Sequence, residues 1–162
     1  MADVLRNHEH IHERYYVKPR RRILSIRDNM ADVRLIHEFW GADSDVDLVT
    51  MNSGDEALFY LNTAKRHLPN LILLASRYAG SHMSVIQILT ALKTDIQFKV
   101  VPVVVLSAMP SPAAIRDLYA HQAACVIELP TDLDGIEVAL KTIKNLWLHV
   151  ARLPYDGGWD AS

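Results

Sequence analysis

The sequence predicts an α/β domain built on a parallel sheet, and two observations predict it. Apolar runs of strand length alternate with segments of helical period, which is the signature of βαβ units. Half of the 162 residues are hydrophobic, which suits one domain with a well-developed core.

Strands are expected near 23–27, 46–51, 70–75, 101–107 and 124–128, and helices near 30–41, 54–67, 84–94, 111–122 and 132–152. Val101, Val103, Val104, Val105 and Leu106 form a near-continuous apolar run, as expected of a central strand buried on both faces. In the first helix Val33, Ile36 and Trp40 share a face, Asp32, Arg34 and Glu38 lie away from it, and Gly41 would stop it. Ser53 followed by Glu56 has the spacing of a capping box, which fixes where the second helix begins. Ser111 with Pro112 behind it combines an N-cap with a proline at the first helical position. Leu133, Ile136, Leu140, Ile143 and Trp147 form the inner stripe expected of the last helix.

Charge and composition exclude several classes. The 17 basic and 19 acidic residues give no electrostatic reason to expect nucleic acid or an anionic membrane as partner. A DNA-binding output module is not expected. The single cysteine, Cys125, forms no internal disulfide; in an apolar strand it is a buried thiol rather than a redox centre, which suits the cytosol. The start of the chain lacks an apolar signal region, and no later run approaches the roughly 18 residues of a membrane span.

Residues 1–19 are expected to form an extension, residues 20–154 the domain and residues 155–162 a short tail. His8, His10 and His12 alternate, so an extended arm would place three imidazoles on one side, where a metal could be held; without cysteine partners at ligand spacing, a mobile leader is the simpler reading. Tyr15, Tyr16 and Val17 are candidates for packing onto the domain or a second subunit. Arg20, Arg21 and Arg22 form a basic run, either a solvated flank or an electrostatic contact to a partner.

Five landmarks carry a more specific resemblance. They are Ile23–Asn29 followed by Ala31–Ile36, Asn52–Leu58, Pro69–Leu74, Pro102–Ala108 and Ala123–Pro130. In order and spacing the stretch from about Arg22 to Pro154 resembles the receiver (CheY-like) domain of two-component response regulators. The ending Leu146–Pro154 resembles, less specifically, the tail of small stand-alone receivers that work beside bacterial phytochrome kinases. The resemblance implies a flavodoxin-like (βα)5 fold, a doubly wound five-stranded parallel sheet of order 2-1-3-4-5.

The resemblance also shows what has been replaced. In that family an acidic pair after the first strand and an acceptor aspartate after the third hold Mg²⁺, which neutralises the phosphoryl group during in-line transfer. A lysine after the fifth strand pairs with the phosphoryl oxygens. Here the acidic pair is Arg27-Asp28, the acceptor position is Ala75 and the lysine position is Leu129. Arg27 would oppose a divalent ion by like-charge repulsion and could pair with Asp28. Val126 occupies the switch-aromatic position, leaving Asp28 and the switch hydroxyl Ser107 of the reactive set. Mg²⁺ binding is therefore expected to be lost or weak, no cofactor is expected, and the chain reads as a degenerate pseudo-receiver without enzymatic activity.

Ser76, beside the vacant acceptor position, lacks an adjacent base or metal and reads as a loop serine satisfying local backbone groups. Tyr78 and His82 either fill the space of a phosphoryl group or belong to a variable surface loop. Glu128 would be costly if buried unpaired; a partner in Arg27 or a lysine, or a solvent-facing sheet edge, are the alternatives. The resemblance suggests a cis bond before Pro130.

The expected function is that of a stand-alone atypical response regulator acting by phosphorylation-independent protein binding, with a signalling protein as the implied partner and a histidine kinase of phytochrome type as the candidate. The family's interaction face would here involve Asp117, His121, Lys141, Lys144 and Trp147, the last either contact or core. Leu146, Leu148 and Val150 hint at an apolar surface that a second copy in a homodimer would cover. Alternatives are a receiver whose altered pocket binds a small ligand or is modified at a hydroxyl, and an enzyme on the same scaffold.

Overall fold

A computed structural model of the chain describes residues 20–27, 30–43, 45–63, 68–75 and 84–155. Five strands, β1 (Arg21–Ile26), β2 (Val46–Met51), β3 (Leu71–Ala75), β4 (Val103–Ser107) and β5 (Cys125–Glu128), alternate with helices α1 (Met30–Trp40), α2 (Gly54–Thr63), α3 (Val85–Thr94), α4 (Pro112–Ala120) and α5 (Leu133–Lys144). All pairings are parallel, and the order is β2-β1-β3-β4-β5. The (βα)5 doubly wound architecture expected from the sequence is the one observed.

Pleating divides the core. Leu24, Ile26, Ile72, Leu74, Val103 and Val105 pack on one face with Leu61 of α2, Leu89 and Leu92 of α3 and Leu118 of α4. Their strand neighbours Ile23, Leu71, Leu73, Val104 and Leu106 pack on the other with Ile36 and Trp40 of α1 and Leu140 and Ile143 of α5. The middle strand β3 is thus apolar at every position because each face has its own layer of helices.

The helix ends follow local chemistry. Ser53 Oγ accepts from Glu56 N (3.1 Å), and the Glu56 carboxylate reaches back one residue further than a standard box, to Asn52 N (2.8 Å). Ser111 Oγ accepts from Ala114 N (3.1 Å), with Pro112 at the start of α4. A reciprocal capping box at Ser84 and Gln87 opens α3. After Trp40, Gly41 N donates to His37 O (2.9 Å). A Cβ on Gly41 would lie 2.5 Å from that carbonyl oxygen, so only glycine fits. Helix α4 stops at Ala120 because Gln122 takes a left-handed conformation (φ 70°) and Ala123 N turns back to Leu118 O (3.1 Å).

The last helix departs from expectation. After Lys144 it winds as a π-helix over Asn145–Val150, with Ala151 N donating to Leu146 O at 2.7 Å. Leu140 and Ile143 are buried and Ile136 and Trp147 half-buried, but Leu133 is 59 % exposed. The buried stripe therefore begins one turn later than the spacing suggests, at Ile136. Within the proposed apolar patch Leu148 is buried, whereas Leu146 and Val150 are exposed; residues two apart on a helix point to opposite sides.

Of the basic run Arg20 is exposed, but Arg21 and Arg22 are half-buried rather than a solvated flank. Arg20 Nη2 donates to Val46 O (2.7 Å). Arg21 donates through both terminal nitrogens to Trp147 O and Ala151 O (2.7 Å each), and Arg22 pairs with Asp47 at 2.9 Å. Beside them the buried Asn70 accepts from Arg22 N (2.8 Å) and donates to Pro154 O (3.2 Å). This network ties the end of the last helix to the amino edge of the sheet.

Candidate functional site

Strand order reverses between β1 and β3, and ligands of open α/β sheets bind outside the carboxyl ends of the strands at such a switch point. Here those ends enclose a cavity of about 240 Å³. Its described walls are Arg27 after β1, Ala75 at the end of β3, Leu106 and Ala108 around the end of β4, Leu129 and Pro130 after β5, and Thr131 and Ile136 at the start of α5. The topology thus gathers Arg27, Ala75, Leu129 and Pro130, whose extremes are 130 − 27 = 103 positions apart.

Arg27 is 3 % exposed, and its backbone N–H donates to Met51 O (2.9 Å), fixing it at the end of β1. Its guanidinium stays charged at any ordinary pH. No described wall residue carries a carboxylate. Ser107 is buried and its carbonyl accepts from Leu129 N (2.8 Å), which draws the loop after β5 against β4. Asp28, Ser76, Tyr78, His82 and the histidines and tyrosines of the leader lie outside the described residues.

The expectation of a cis bond before Pro130 is corrected: no cis peptide occurs among the described residues, and Leu129–Pro130 is trans. Trans is the intrinsically favoured isomer, and the Leu129 N–H holds the approach to Pro130 on β4. The ring then abuts the first turn of α5, where a Cβ on Gly135 would lie 2.6 Å from Pro130 Cβ. Asp132 caps that turn by accepting from Gly135 N (2.9 Å). Thr131, Ala108 and Ile136 were not singled out as site residues; only proximity in the fold marks them.

Glu128 faces solvent at the open edge of the sheet, the last of the alternatives considered for it. Half-buried Val126 donates its backbone N–H to Tyr119 Oη (3.1 Å), so a phenol from α4 satisfies a donor of this edge strand. Cys125 is a free, half-buried thiol.

The proposed interaction residues separate. Asp117 and His121 meet each other on α4 (Oδ1 to Nδ1, 3.3 Å), and Lys141 pairs with Glu137 on the exposed side of α5 (2.9 Å). Lys144 instead turns inward to Asp43 after α1, at 2.5 Å, with both side chains largely covered. That contact, with the Asp45 N–H, holds the Asp43 carboxyl below the usual range. Trp147 packs against the α1/α5 layer, and its indole Nε1 is buried without a hydrogen bond among the described residues.

A parallel sheet of order 2-1-3-4-5 with its pocket at the β1/β3 switch point defines a CheY-like receiver fold. The phosphorylated cyanobacterial phytochrome response regulator RcpA is 31 % identical over 83 % of this chain and 99 % of its own, with a TM-score of 0.77. The chain belongs to the response-regulator receiver domains. Rcp1, in a Mn²⁺-bound form, is 25 % identical, with a TM-score of 0.76 and coverage of 83 % and 99 %. A curated relative, "Probable methanogenesis regulatory protein FilR2" of Methanothrix harundinacea (strain 6Ac), is 27 % identical over 140 residues, 82 % of this chain and 86 % of its own. No family model matches the sequence. The structural neighbours are signalling domains. Among the described residues no helix is long and apolar enough to cross a membrane.

Proposed function

We propose that this receiver signals by binding another protein without phosphoryl transfer. The observation that carries the reading is the pocket wall, where Ala75 ends β3 with no nucleophile, Arg27 places a cation beside it and Leu129 offers no charge to hold a phosphate. Mg²⁺ does not fit this donor set. A buried guanidinium repels a divalent ion, and the described wall supplies neither of the carboxylates such an ion needs. No catalytic step is assigned to the site, and Ser107 is structural in this reading.

The partner we propose is a histidine kinase of phytochrome type, the association suggested by the likeness to RcpA and Rcp1. The docking surface is the face of α4, β5 and α5, with Asp117, His121 and Lys141 at its polar positions and Tyr119, Val138 and Leu146 exposed beside them. Lys144 and Trp147 support that face from within. A homodimer through the exposed Leu146 and Val150 belongs to the same proposal.

Mass spectrometry after incubation with Mg²⁺ and acetyl phosphate, paired with thermal denaturation in Mg²⁺ and beryllofluoride, tests this reading. Unchanged mass and unchanged Tm are expected. A phosphoryl adduct would overturn it, and mapping the adduct would identify the group that replaced the aspartate.

A further inference from the structure

We infer that the rim formed by the β4–α4 and β5–α5 loops docks a basic, amphipathic segment of the partner protein, with Met109 and Leu133 receiving its apolar side chains and Glu128 and Asp134 its lysines or arginines. The inference rests on the reading that the protein signals by binding a partner through the face of α4, β5 and α5, and it names the chemistry of the contact segment.

The fold brings the two loops together. Ala108, Pro130 and Thr131 line the same cavity, so Met109, next after Ala108, and Leu133, shortly after Thr131, stand on adjoining walls of its mouth. Met109 is 75 % exposed and Leu133 59 %, and Leu129 and Pro130 in the second loop are half-buried. Contiguous exposed apolar surface marks an interaction site, whereas apolar residues scattered singly are ordinary. Met109 also holds a left-handed backbone (φ 49°), which the Cβ of any residue but glycine makes unfavourable. The chain thus keeps a large, outward-facing thioether where a glycine would sit more easily. An unbranched, polarizable methionine side chain adapts its shape to whatever apolar surface meets it.

Charge selects the occupant. Residues 108–115 and 122–140 contain no lysine or arginine, whereas Glu128 at the end of β5 and Asp132 and Asp134 at the start of α5 are exposed. Asp132 is spent on the helix cap through Gly135 N, and Glu137 is paired with Lys141. Glu128 and Asp134 form no ion pair among the described residues. Exposed carboxylates act weakly one by one, because water and salt screen them. They therefore choose the sign of the partner and speed its approach, while the apolar contacts hold it.

The same charges set aside the other occupants. An acidic rim repels nucleic acid and anionic lipid. A second copy meeting this surface across a two-fold axis would set carboxylates against carboxylates. The arginines able to neutralise them lie around the opposite, amino end of β1, where Arg20 and Arg21 donate to Val46 O and Trp147 O and Arg22 pairs with Asp47. Leu146 and Val150 stand at the far end of the last helix, so the dimer proposed there leaves the rim open.

The synthetic peptide acetyl-KLKRLLKR-amide, titrated into the full chain and followed by ¹H–¹⁵N NMR, tests the inference. Acetyl-ELEELLEE-amide serves as the charge-reversed control and acetyl-KSKRSSKR-amide as the one without apolar side chains. Saturable shifts of the Met109, Glu128 and Leu133 amides are expected with the basic peptide, with binding at least roughly tenfold weaker for either control. Leu133→Ser and the double variant Glu128→Lys/Asp134→Lys change only exposed side chains, and each is expected to weaken binding at least roughly fivefold. No saturable binding, shifts confined to another face, equal binding of the acidic peptide, or undiminished binding by either variant would each overturn the inference. Sedimentation of the chain alone supplies one more outcome: self-association that Leu133→Ser abolishes would give the rim to a second copy and overturn it as well. A silent titration together with an unchanged mass after acetyl phosphate removes this inference alone; a phosphoryl adduct removes the reading beneath it.

Discussion

Strand β1 carries arginines at both ends, and the two ends use them differently. At the amino end Arg21 and Arg22 meet the last helix and β2 through carbonyls and a carboxylate, and Asn70 completes the network. At the carboxyl end Arg27 is buried in the wall of a cavity whose other described members are small, apolar or hydroxylic. The first arrangement ties the last helix and β2 to the start of the strand; the second sets a buried guanidinium in the wall of the pocket. The comparison teaches that an arginine's role is set by what the topology brings to it, not by its neighbours in sequence.

Arg21→Ala should have the largest effect. It removes two charge-assisted bonds and leaves the Trp147 and Ala151 carbonyls to water, for a loss of about 2–4 kcal/mol in urea denaturation. A loss below about 1 kcal/mol would erase the contrast between the two ends. Asn70→Ala should follow, at about 1–3 kcal/mol, because the Arg22 N–H and the Pro154 carbonyl both lose a partner. Hydrogen exchange after that substitution should quicken in the tail around Pro154 before it quickens in β4.

Lys144→Met should cost about 1 kcal/mol at neutral pH, since the ion pair with Asp43 is largely shielded but remains at the surface. Its pH dependence has a definite sign. The folded Asp43 pKa lies below its unfolded value, so this stabilisation is complete above the unfolded carboxylate range near ~3.9. It is lost as pH falls through the folded pKa. Stability curves of the two proteins should converge on acidification; a gap that persists unchanged at low pH would remove the ion pair as its cause.

Ala75→Asp should have the smallest effect at the carboxyl end. With Arg27 and Leu129 still in place, the new carboxylate pairs with the guanidinium, and acetyl phosphate with Mg²⁺ should add no mass. An adduct on this variant would show that the acceptor alone had been missing.

Local chemistry made much of the fold legible. The Ser53 and Ser111 caps, the stop at Gly41 and the apolar run through β4 depend on residues within a few positions of each other, so the sequence determines them. The replacements at Arg27, Ala75 and Leu129 were legible too, because the landmarks around them fixed their positions. Leu133, Lys144, Pro130 and the Arg20–Arg22 run were not. Helical periodicity gives the spacing of side chains along a helix but not which turns the rest of the fold covers, so Leu133 was placed inside and is exposed. Which carbonyl, carboxylate or cavity meets a charged side chain depends on segments up to 130 positions away. By itself the sequence determined the elements, their order and the chemistry missing from the pocket. The tertiary structure decided which groups each charged side chain meets and which of them line the pocket, because those contacts exist only after distant strand ends have been brought together.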